Sequence, residues 1–350
     1  MFKKQIFNLL KIILPLFLGV YLIWYFFSSM SEDVKSQFYK AIREANYLWI
    51  IASLLVGFVA YLSRAYRWKY TLEPIGYSTK FWNRYHAIMI GYIVNLTIPR
   101  AGEASRSAML YRSDGVPFSN SFGTIIAERA VDFVVLVSIA CFTAFIGYND
   151  FFEIKDQIQN NFSGTKANSS SILKPILLTV FAVGIIVLTY LAVKKPVLRN
   201  KLISFVKNVF QGLFSIFKSK QPLSYIAHTI LIWFCYVLMF ILPFYSLHET
   251  SAIPFKGMMI GFIAGSLGIV FTNGGIGVYP LLVGLVVTFY IKGDYPENAQ
   301  GIGNALGIIV WVSQTLLMII LGLISLMLLP KNYTKEDDKT GTHSIEDSIN

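Results

Sequence analysis

Residues 95–106 read Asn95-Leu96-Thr97-Ile98-Pro99-Arg100-Ala101-Gly102-Glu103-Ala104-Ser105-Arg106, and they end an apolar run that starts at Tyr85. Proline and glycine interrupt helical hydrogen bonding, and hydrocarbon cannot satisfy the backbone groups that they free. Such backbone is tolerated at membrane depth only against protein or a wet cavity. The cluster is also too charged to face lipid and too close to the apolar run to be a remote loop. We therefore predict a re-entrant helical hairpin at this point of the chain.

The composition of the whole chain indicates a membrane setting for this hairpin. Of 350 residues, 55% are hydrophobic and 14% are charged, whereas a soluble domain has about 25% charged residues. The first apolar stretch has no small-x-small cleavage site behind it, so we predict a retained helix there and not a signal peptide. Each apolar stretch is close to the roughly 20 residues that cross the hydrocarbon. We predict an all-α, polytopic helical bundle with six full spans, at 8–28, 47–63, 130–148, 172–193, 224–247 and 301–329.

The distribution of charge predicts the orientation of these spans. Residues 194–220 carry seven lysines and arginines and not one acidic residue, whereas residues 149–166 contain three acidic residues and two lysines. Basic segments stay on the cytoplasmic side of a membrane. We therefore expect a protein of the cell membrane with both termini in the cytoplasm. The same argument explains the net charge of +11 without a nucleic-acid partner.

A second interruption lies between the last two spans, within residues 255–292. Two short apolar segments, 257–272 and 279–291, are separated by Asn273-Gly274-Gly275-Ile276-Gly277. Because the flanking spans place both ends of this region outside, we predict a second hairpin that enters from the opposite face. Two units of span, hairpin and span form an inverted repeat, whose broken helices meet near the midplane.

The domain organisation follows from these elements. We predict one transmembrane domain over residues 1–330, with a first half at about 1–193 and a second half at about 221–330. Within the basic linker 194–220, residues 197–217 place apolar side chains on one helical face and polar or basic side chains on the other, which predicts an interfacial helix on anionic inner-leaflet lipids. Residues 331–350 are polar, and such a segment buries too little surface to order itself.

The first hairpin supplies candidate binding residues. Arg100 or Arg106 is suited to an anion such as a phosphate, for which a guanidinium offers a two-pronged donor. Glu103 and Arg106 are three residues apart and can pair on one helical face. A ligand-facing role and a structural ion pair therefore both stay open, with Asn95 at the same break. Ionisable groups at membrane depth are functional by default.

A second charged cluster is predicted to open the helix that follows the hairpin. Glu128 and Asp132 stand four residues apart with Arg129 between them, and two bare carboxylates at that spacing repel each other. A cation belongs between them, either an arginine of another segment or a positively charged lipid headgroup. The alternative is a neutralised network that only locks two helices together.

Arg64, Arg67 and Trp68 end the second span. Two arginines on one helical face with a tryptophan at interface depth are typical of ordinary membrane anchoring. An anionic headgroup site at the inner leaflet is the alternative.

The second hairpin offers small residues and exposed backbone amides, and a helix that starts near Pro280 points its positive end into the membrane centre. Glycine also serves close helix packing, so both roles stay open. The candidate residues in this hairpin are Asn273, Gly274, Gly275, Gly277 and Tyr279.

No pattern in the sequence supports catalysis or metal binding. The four histidines are dispersed, and Cys141 and Cys235 fall in predicted spans, where a thiol packs as a small hydrophobe. No nucleophile, base and oxyanion site assemble in the sequence. We expect no cofactor and no metal.

Four motifs together resemble the lysylphosphatidylglycerol synthase transmembrane-region family of flippase-like membrane proteins. They are Arg64-x-x-Arg67-Trp68, Asn95-x-x-x-Pro99-Arg100-x-Gly102-Glu103-x-x-Arg106, Glu128-Arg129-x-x-Asp132 and Gly274-Gly275-x-Gly277-x-x-Pro280. In the two-part members, this membrane region is thought to flip an aminoacylated phospholipid made by a fused C-terminal synthase domain. The chain stops at Asn350, so the resemblance implies translocation without tRNA-dependent transfer.

These observations favour a lipid translocase that moves a phospholipid or lipid-linked headgroup through a central polar cavity, with the membrane lipid as its substrate. For such a protein we expect either a homo-oligomer or a separate lipid-modifying enzyme as a partner. Three other functions stay open: a membrane enzyme that uses Glu128 or Asp132 as a base on a phospholipid or polyprenyl-linked substrate, a small-solute or ion transporter, and a scaffold.

Overall fold

The computed structural model describes residues 30–98, 101–150, 153–154 and 221–330, together with Tyr21, Trp24 and Ser28. The described chain is helical, without a strand in these ranges. Its contacts divide it into two compact units, residues 1–125 with 216–350, and residues 126–215. The predicted segments at 172–193, 194–220 and 331–350 lie outside the described residues, as does the span at 8–28 apart from the three single positions.

Nine α-helices lie wholly within the described ranges. They are α1 Glu32–Glu44, α2 Tyr47–Leu72, α3 Phe81–Thr97, α4 Gly102–Asp114, α5 Phe118–Ile146, α6 Pro222–Ile241, α7 Phe255–Phe271, α8 Val278–Ile291 and α9 Ala299–Leu328. Short 3-10 turns extend α2 to Ile75 and α6 to Ser246, and a third joins α7 to α8 at Asn273–Gly275.

Four segments are long and apolar enough to cross a membrane: Tyr47–Ile75, Phe118–Ile146, Pro222–Ser246 and Ala299–Leu328. They confirm the spans predicted at 47–63, 130–148, 224–247 and 301–329. Two of the helices extend well beyond the apolar run that predicted them, α2 at its end and α5 at its start. In α2 the added turns carry buried residues, among them Arg67, Trp68 and Leu72, whereas the added first residues of α5, Phe118 to Asn120, are exposed.

Helices α2 and α6 pack antiparallel along most of their length. Toward the start of α2, the Ser53 hydroxyl donates to the Met239 carbonyl over 2.6 Å, and toward its end Ser63 Oγ lies 2.8 Å from His228 Nδ1. Gly57 brings the two helices close, since a Cβ there would meet the Met239 sulfur at 2.6 Å. Small residues and interhelical hydrogen bonds are the usual means of helix association in lipid.

Helices α3 and α4 form the predicted first hairpin. At its open end the Lys80 amide donates to Asp114 Oδ1 over 3.1 Å. At its tip the Gly102 amide donates to Asn95 Oδ1 over 2.7 Å, and Gly91 lets the two backbones touch. The helices have 17 and 13 residues, or about 25 and 20 Å at 1.5 Å per residue. Each is too short to cross about 30 Å of hydrocarbon, so the hairpin is re-entrant.

Helices α7 and α8 form the second hairpin, which is likewise antiparallel. A Cβ on Gly257 would meet the Tyr290 ring at 2.7 Å near the open end, and one on Gly268 would meet the Tyr279 backbone nitrogen at 2.8 Å near the tip. The turn between the helices has Gly274 at φ 59°, a left-handed conformation that glycine adopts without strain. The predicted break at residues 273–277 is confirmed.

The first half of α9 packs along the second hairpin. Gly307 lies against the carbonyl of Pro280 near the start of α8. Trp311 Nε1 donates to the Gly274 carbonyl at the hairpin tip over 2.8 Å. Moving along α9 from Ala299 therefore means moving from the open end of this hairpin to its tip.

The second half of α9 packs along the first hairpin in the reverse sense. A Cβ on Gly322 would meet Ile93 at 3.0 Å, and Ser325 Oγ lies 2.9 Å from His86 Nδ1. Because residue numbers in α3 fall as those in α9 rise, this half of α9 runs from the tip of the first hairpin to its open end.

The two hairpins therefore enter from opposite ends of α9 and meet tip to tip. A Cβ on Gly274 would lie 2.5 Å from the Leu96 side chain, so the two tips touch. Trp311 stands twelve residues into α9, about 18 Å along its axis. The junction of the tips thus lies near the middle of a spanning helix, and the predicted arrangement of oppositely oriented hairpins is confirmed.

Candidate functional site

One face of the last turns of α2 is covered by protein. Arg64 is 4% exposed, and Arg67 and Trp68 are fully buried. The anchoring role predicted for these residues is therefore wrong. An anchoring arginine extends its charged end to the interface, whereas these two guanidinium groups are covered by the helices that pack against α2.

Arg106 reaches the same region from the first hairpin. Its guanidinium carbon lies 3.6 Å from the centre of the Trp68 ring. Trp68 in turn donates from Nε1 to Thr124 Oγ1 over 2.9 Å. A desolvated cation over a tryptophan face contributes about 2 kcal/mol. The stack therefore holds Arg106 beside the two arginines of α2.

Arg67 faces polar and aromatic groups of α6. Its Nη1 donates to Thr229 Oγ1 over 3.3 Å, and its guanidinium carbon lies 5.5 Å from the centre of the Tyr225 ring. Thr229 also donates to the Tyr225 carbonyl, as threonine does within a helix. These contacts place a cation between α2 and the first turns of α6.

Arg64 lies one turn closer to the hairpin tips. Its Nη1 donates to the Tyr236 hydroxyl over 3.1 Å, and its guanidinium carbon is 5.9 Å from the centre of the Tyr92 ring. The hydroxyls of Tyr92 and Tyr236 are 3.4 Å apart. Arg64 therefore joins α2, α3 and α6 at one point.

The buried charged side chains in the described part of the first unit are all arginines. Arg84 is held by backbone carbonyls, including that of Ala65 over 2.9 Å, which gives it a structural role. The contacts above place the other three, Arg64, Arg67 and Arg106, against aromatic faces and hydroxyl groups. Burial removes water from a cation and strengthens its attraction to an anion. This arginine cluster, Arg64, Arg67 and Arg106, is thus the strongest candidate for a binding site.

The hairpin residues named from sequence have mainly local contacts. Asn95 Oδ1 caps the start of α4. Gly275 and Gly277 both have φ 76°, which leaves no low-strain alternative to glycine. The buried Tyr279 ring fills the space beside Gly265 inside the second hairpin.

Some predicted site residues are not placed by these contacts. Pro99 and Arg100 lie outside the described residues, as does the side chain of Asn273. Glu103 is half-buried in the first turn of α4.

The charged cluster of α5 belongs to the second unit. Glu128 is fully buried and Asp132 is 8% exposed, whereas Phe133 and Val137 on another face of the helix are exposed. The carboxylates thus point away from the apolar surface, as charge at membrane depth requires. The prediction that Glu128, Arg129 and Asp132 open this helix is wrong, because α5 already begins at Phe118.

Comparison with known proteins agrees with this architecture. Residues 12–295 match the sequence profile of the lysylphosphatidylglycerol synthase TM region. The chain belongs to this family. The predicted resemblance is confirmed, and the matched range includes both hairpins, the arginine cluster and the charged residues of α5.

The chain is also similar in part to a UPF0104 membrane protein of Methanocaldococcus jannaschii. The two are 26% identical over 112 residues, which is 31% of this chain and 33% of the relative. The matched part of the chain thus spans about a third of that protein. No solved structure matches the chain.

Sequence reasoning missed the aromatic and hydroxyl groups that contact Arg64 and Arg67. Tyr225, Thr229 and Tyr236 recur on one face of α6, an otherwise apolar helix. This spacing of polar groups within a spanning helix could have indicated a face covered by protein, because lipid-facing positions avoid polar groups. Trp68 carried no such signal, since a tryptophan near a span end is equally typical of the membrane interface.

Proposed function

We propose that this protein translocates a lipid between the two leaflets of the membrane, and that the arginine cluster binds the phosphate of the lipid headgroup. One observation carries the proposal: Arg64, Arg67 and Arg106, from two separate segments, are buried together within one turn of α2. A guanidinium is a two-pronged donor for phosphate oxygens. An anionic ligand at this position would accept charge-assisted hydrogen bonds from guanidinium groups of both segments.

The opposed hairpins support the same function. Helices α4 and α8 both begin at the hairpin tips, so the positive ends of two helix dipoles point toward the junction. Broken helices that meet at the midplane form the substrate site in many secondary transporters. A phosphate at the arginine cluster is therefore about one helical turn from the region where the two halves meet, while the lipid tails stay in hydrocarbon.

The setting that we propose is the cell membrane, with both termini in the cytoplasm. The basic segment 194–220 supports this orientation through the preference of lysine and arginine for the cytoplasmic side. The end of α2 that carries the arginine cluster would then face the inner leaflet. The headgroup would enter the site from that side or leave toward it.

Reconstitution of the purified chain tests the proposal. Vesicles of phosphatidylcholine and phosphatidylglycerol would carry fluorescent phosphatidylglycerol, and an impermeant quencher would measure how fast the probe changes leaflet. We expect Arg64→Gln to slow the protein-dependent rate by about ten- to a hundredfold, since a hydrogen bond to a charged group contributes about 1.5–3 kcal/mol. The rate of Arg64→Lys should lie between those of the unchanged protein and Arg64→Gln, because lysine keeps the charge but lacks the planar guanidinium fork.

Arg43→Gln is the matched control, because Arg43 is an exposed arginine of α1. It should move the probe as fast as the unchanged protein. If Arg64→Gln keeps the unchanged rate while eluting as a folded protein, the headgroup assignment is wrong. A covalently changed lipid in the mass spectrum of the same vesicles would instead favour a membrane enzyme.

A further inference from the structure

Gln314 occupies a position on α9 that none of the motifs above includes. Gly307, Trp311, Gln314 and Gly322 follow one another at intervals that keep them on one side of a helix with 3.6 residues per turn. Gly307 and Trp311 contact the second hairpin, and Gly322 contacts the first. Gln314 therefore faces the hairpins at the level where one ends and the other begins. It is also the midpoint of the helix Ala299–Leu328.

The amide of Gln314 is half-buried, and no hydrogen bond joins it to another group in the part of the chain that the structure describes. Its neighbour Ser313 is different, because that hydroxyl donates to the Val310 carbonyl of the same helix over 3.1 Å. An amide in hydrocarbon without a hydrogen bond costs several kcal/mol. The Gln314 side chain must therefore meet water or a polar ligand at the centre of the membrane.

The arginine cluster lies close to this position along the fold. Arg64 contacts Tyr92, which is one turn before Leu96 at the tip of the first hairpin. Tyr92 packs in the same core as Leu317 and Met318, one turn beyond Gln314 on α9. A headgroup that leaves Arg64 toward the other leaflet thus reaches the tip junction and Gln314 next.

We propose that Gln314 is a headgroup-binding residue at the crossing point, where its amide N–H donates to a phosphate oxygen of the lipid. This inference rests on the proposed function and adds a second contact to it, at the midplane and on the other half of the fold. The amide replaces part of the water around the phosphate at the level of the hairpin tips. It carries no charge, so it holds the headgroup without trapping it, and a conducting site requires binding of that moderate strength.

Transport by two variants tests this role. In the vesicles described above, Gln314→Leu should slow phosphatidylglycerol translocation by about ten- to a hundredfold, since it removes one hydrogen bond to a charged group. Ser313→Ala, the control from the same turn, should leave the rate unchanged because its hydroxyl is bonded within the helix. A parallel experiment with a fluorescent polyprenyl phosphate shows whether the bound phosphate belongs to a phospholipid or to a polyprenyl-linked lipid. If Gln314→Leu moves both probes at the unchanged rate, the inference is wrong.

Thiol labelling tests the same position without relying on transport. In a background with Cys141 and Cys235 replaced by alanine, Gln314→Cys should react with a charged, membrane-impermeant methanethiosulfonate. Leu316→Cys is the matched control at the same depth, because Leu316 is 51% exposed and its thiol would lie in hydrocarbon. Short-chain phosphatidylglycerol should slow labelling at position 314.

The outcomes separate the two proposals. If the unchanged protein moves no lipid but phosphatidylglycerol protects Gln314→Cys, the headgroup contact stands and translocation fails. If position 314 is as unreactive as position 316, the polar junction does not exist and the Gln314 inference is overturned, whether or not the protein moves lipid.

Discussion

Replacing Gly91 by alanine perturbs the contact that closes the first hairpin. A Cβ at this position would lie 2.8 Å from the carbonyl oxygen of Gly102 and 3.4 Å from the Cβ of Arg106. Ordinary van der Waals contact begins at 3.4 Å, so α3 and α4 must separate locally by about 0.6 Å. The neighbour that must yield is helix backbone, which has little freedom to move. The separation also draws Arg106 away from the Trp68 ring.

The expected loss follows from two opposing terms. Overpacking a close contact costs about 1–3 kcal/mol, and alanine in place of glycine within a helix returns about 0.5–1 kcal/mol. The difference spans about 0–2.5 kcal/mol, so the free energy of unfolding should fall by about 1 kcal/mol. Thermal unfolding in a mild detergent, followed by intrinsic tryptophan fluorescence, should show a lower midpoint for Gly91→Ala.

Gly123→Ala is the matched control in helix α5, since a Cβ there meets nothing within 4 Å. This variant gains helix propensity without a new contact, so its midpoint should rise. The two glycine-to-alanine changes are thus expected to shift stability in opposite directions. A Gly91→Ala protein as stable as the unchanged chain would refute the backbone contact between α3 and α4.

Two further predictions use the buried arginine and the hairpin tips. Arg106→Met and Trp68→Leu should each lower the unfolding midpoint. The double variant should show a coupling energy of about 2 kcal/mol between the two changes, because the stacked pair is desolvated. Additive losses would argue against the stack. Gly274→Ala should lower both stability and translocation more than Gly76→Ala. Both positions have positive φ, 59° and 88°, but a Cβ at 76 enters open space whereas one at 274 meets Leu96. A larger loss in Gly76→Ala than in Gly274→Ala would argue against the contact between the tips.

Both hairpins could be predicted because their signals are local. A proline or glycine break next to a short apolar run limits the length of helix that can form, and the first hairpin at Tyr85–Arg106 and the second at residues 257–291 both show it. The start of α5 could not be predicted in the same way. Residues 118–127 mix polar and apolar side chains, so hydropathy does not mark them as part of a spanning helix.

The roles of the arginines depended on information that a local pattern does not contain. An arginine at the end of an apolar run has the same sequence context whether it extends to the interface or is covered by protein. Arg64 and Arg67 are covered because α6 supplies Tyr236 and Thr229, more than 160 positions later in the chain. The position of Gln314 could not be predicted for the same reason. The two hairpin tips beside it come from opposite halves of the sequence.

The sequence by itself determined that the chain is a helical membrane protein, where its apolar helices lie and where two of them break, because apolar length and the effect of proline and glycine act within one segment. The tertiary structure alone decided which face of each helix is covered. That choice depends on packing between segments remote in sequence, and it brought Arg64, Arg67 and Arg106 together on aromatic faces and set Gln314 at the junction of the two hairpins.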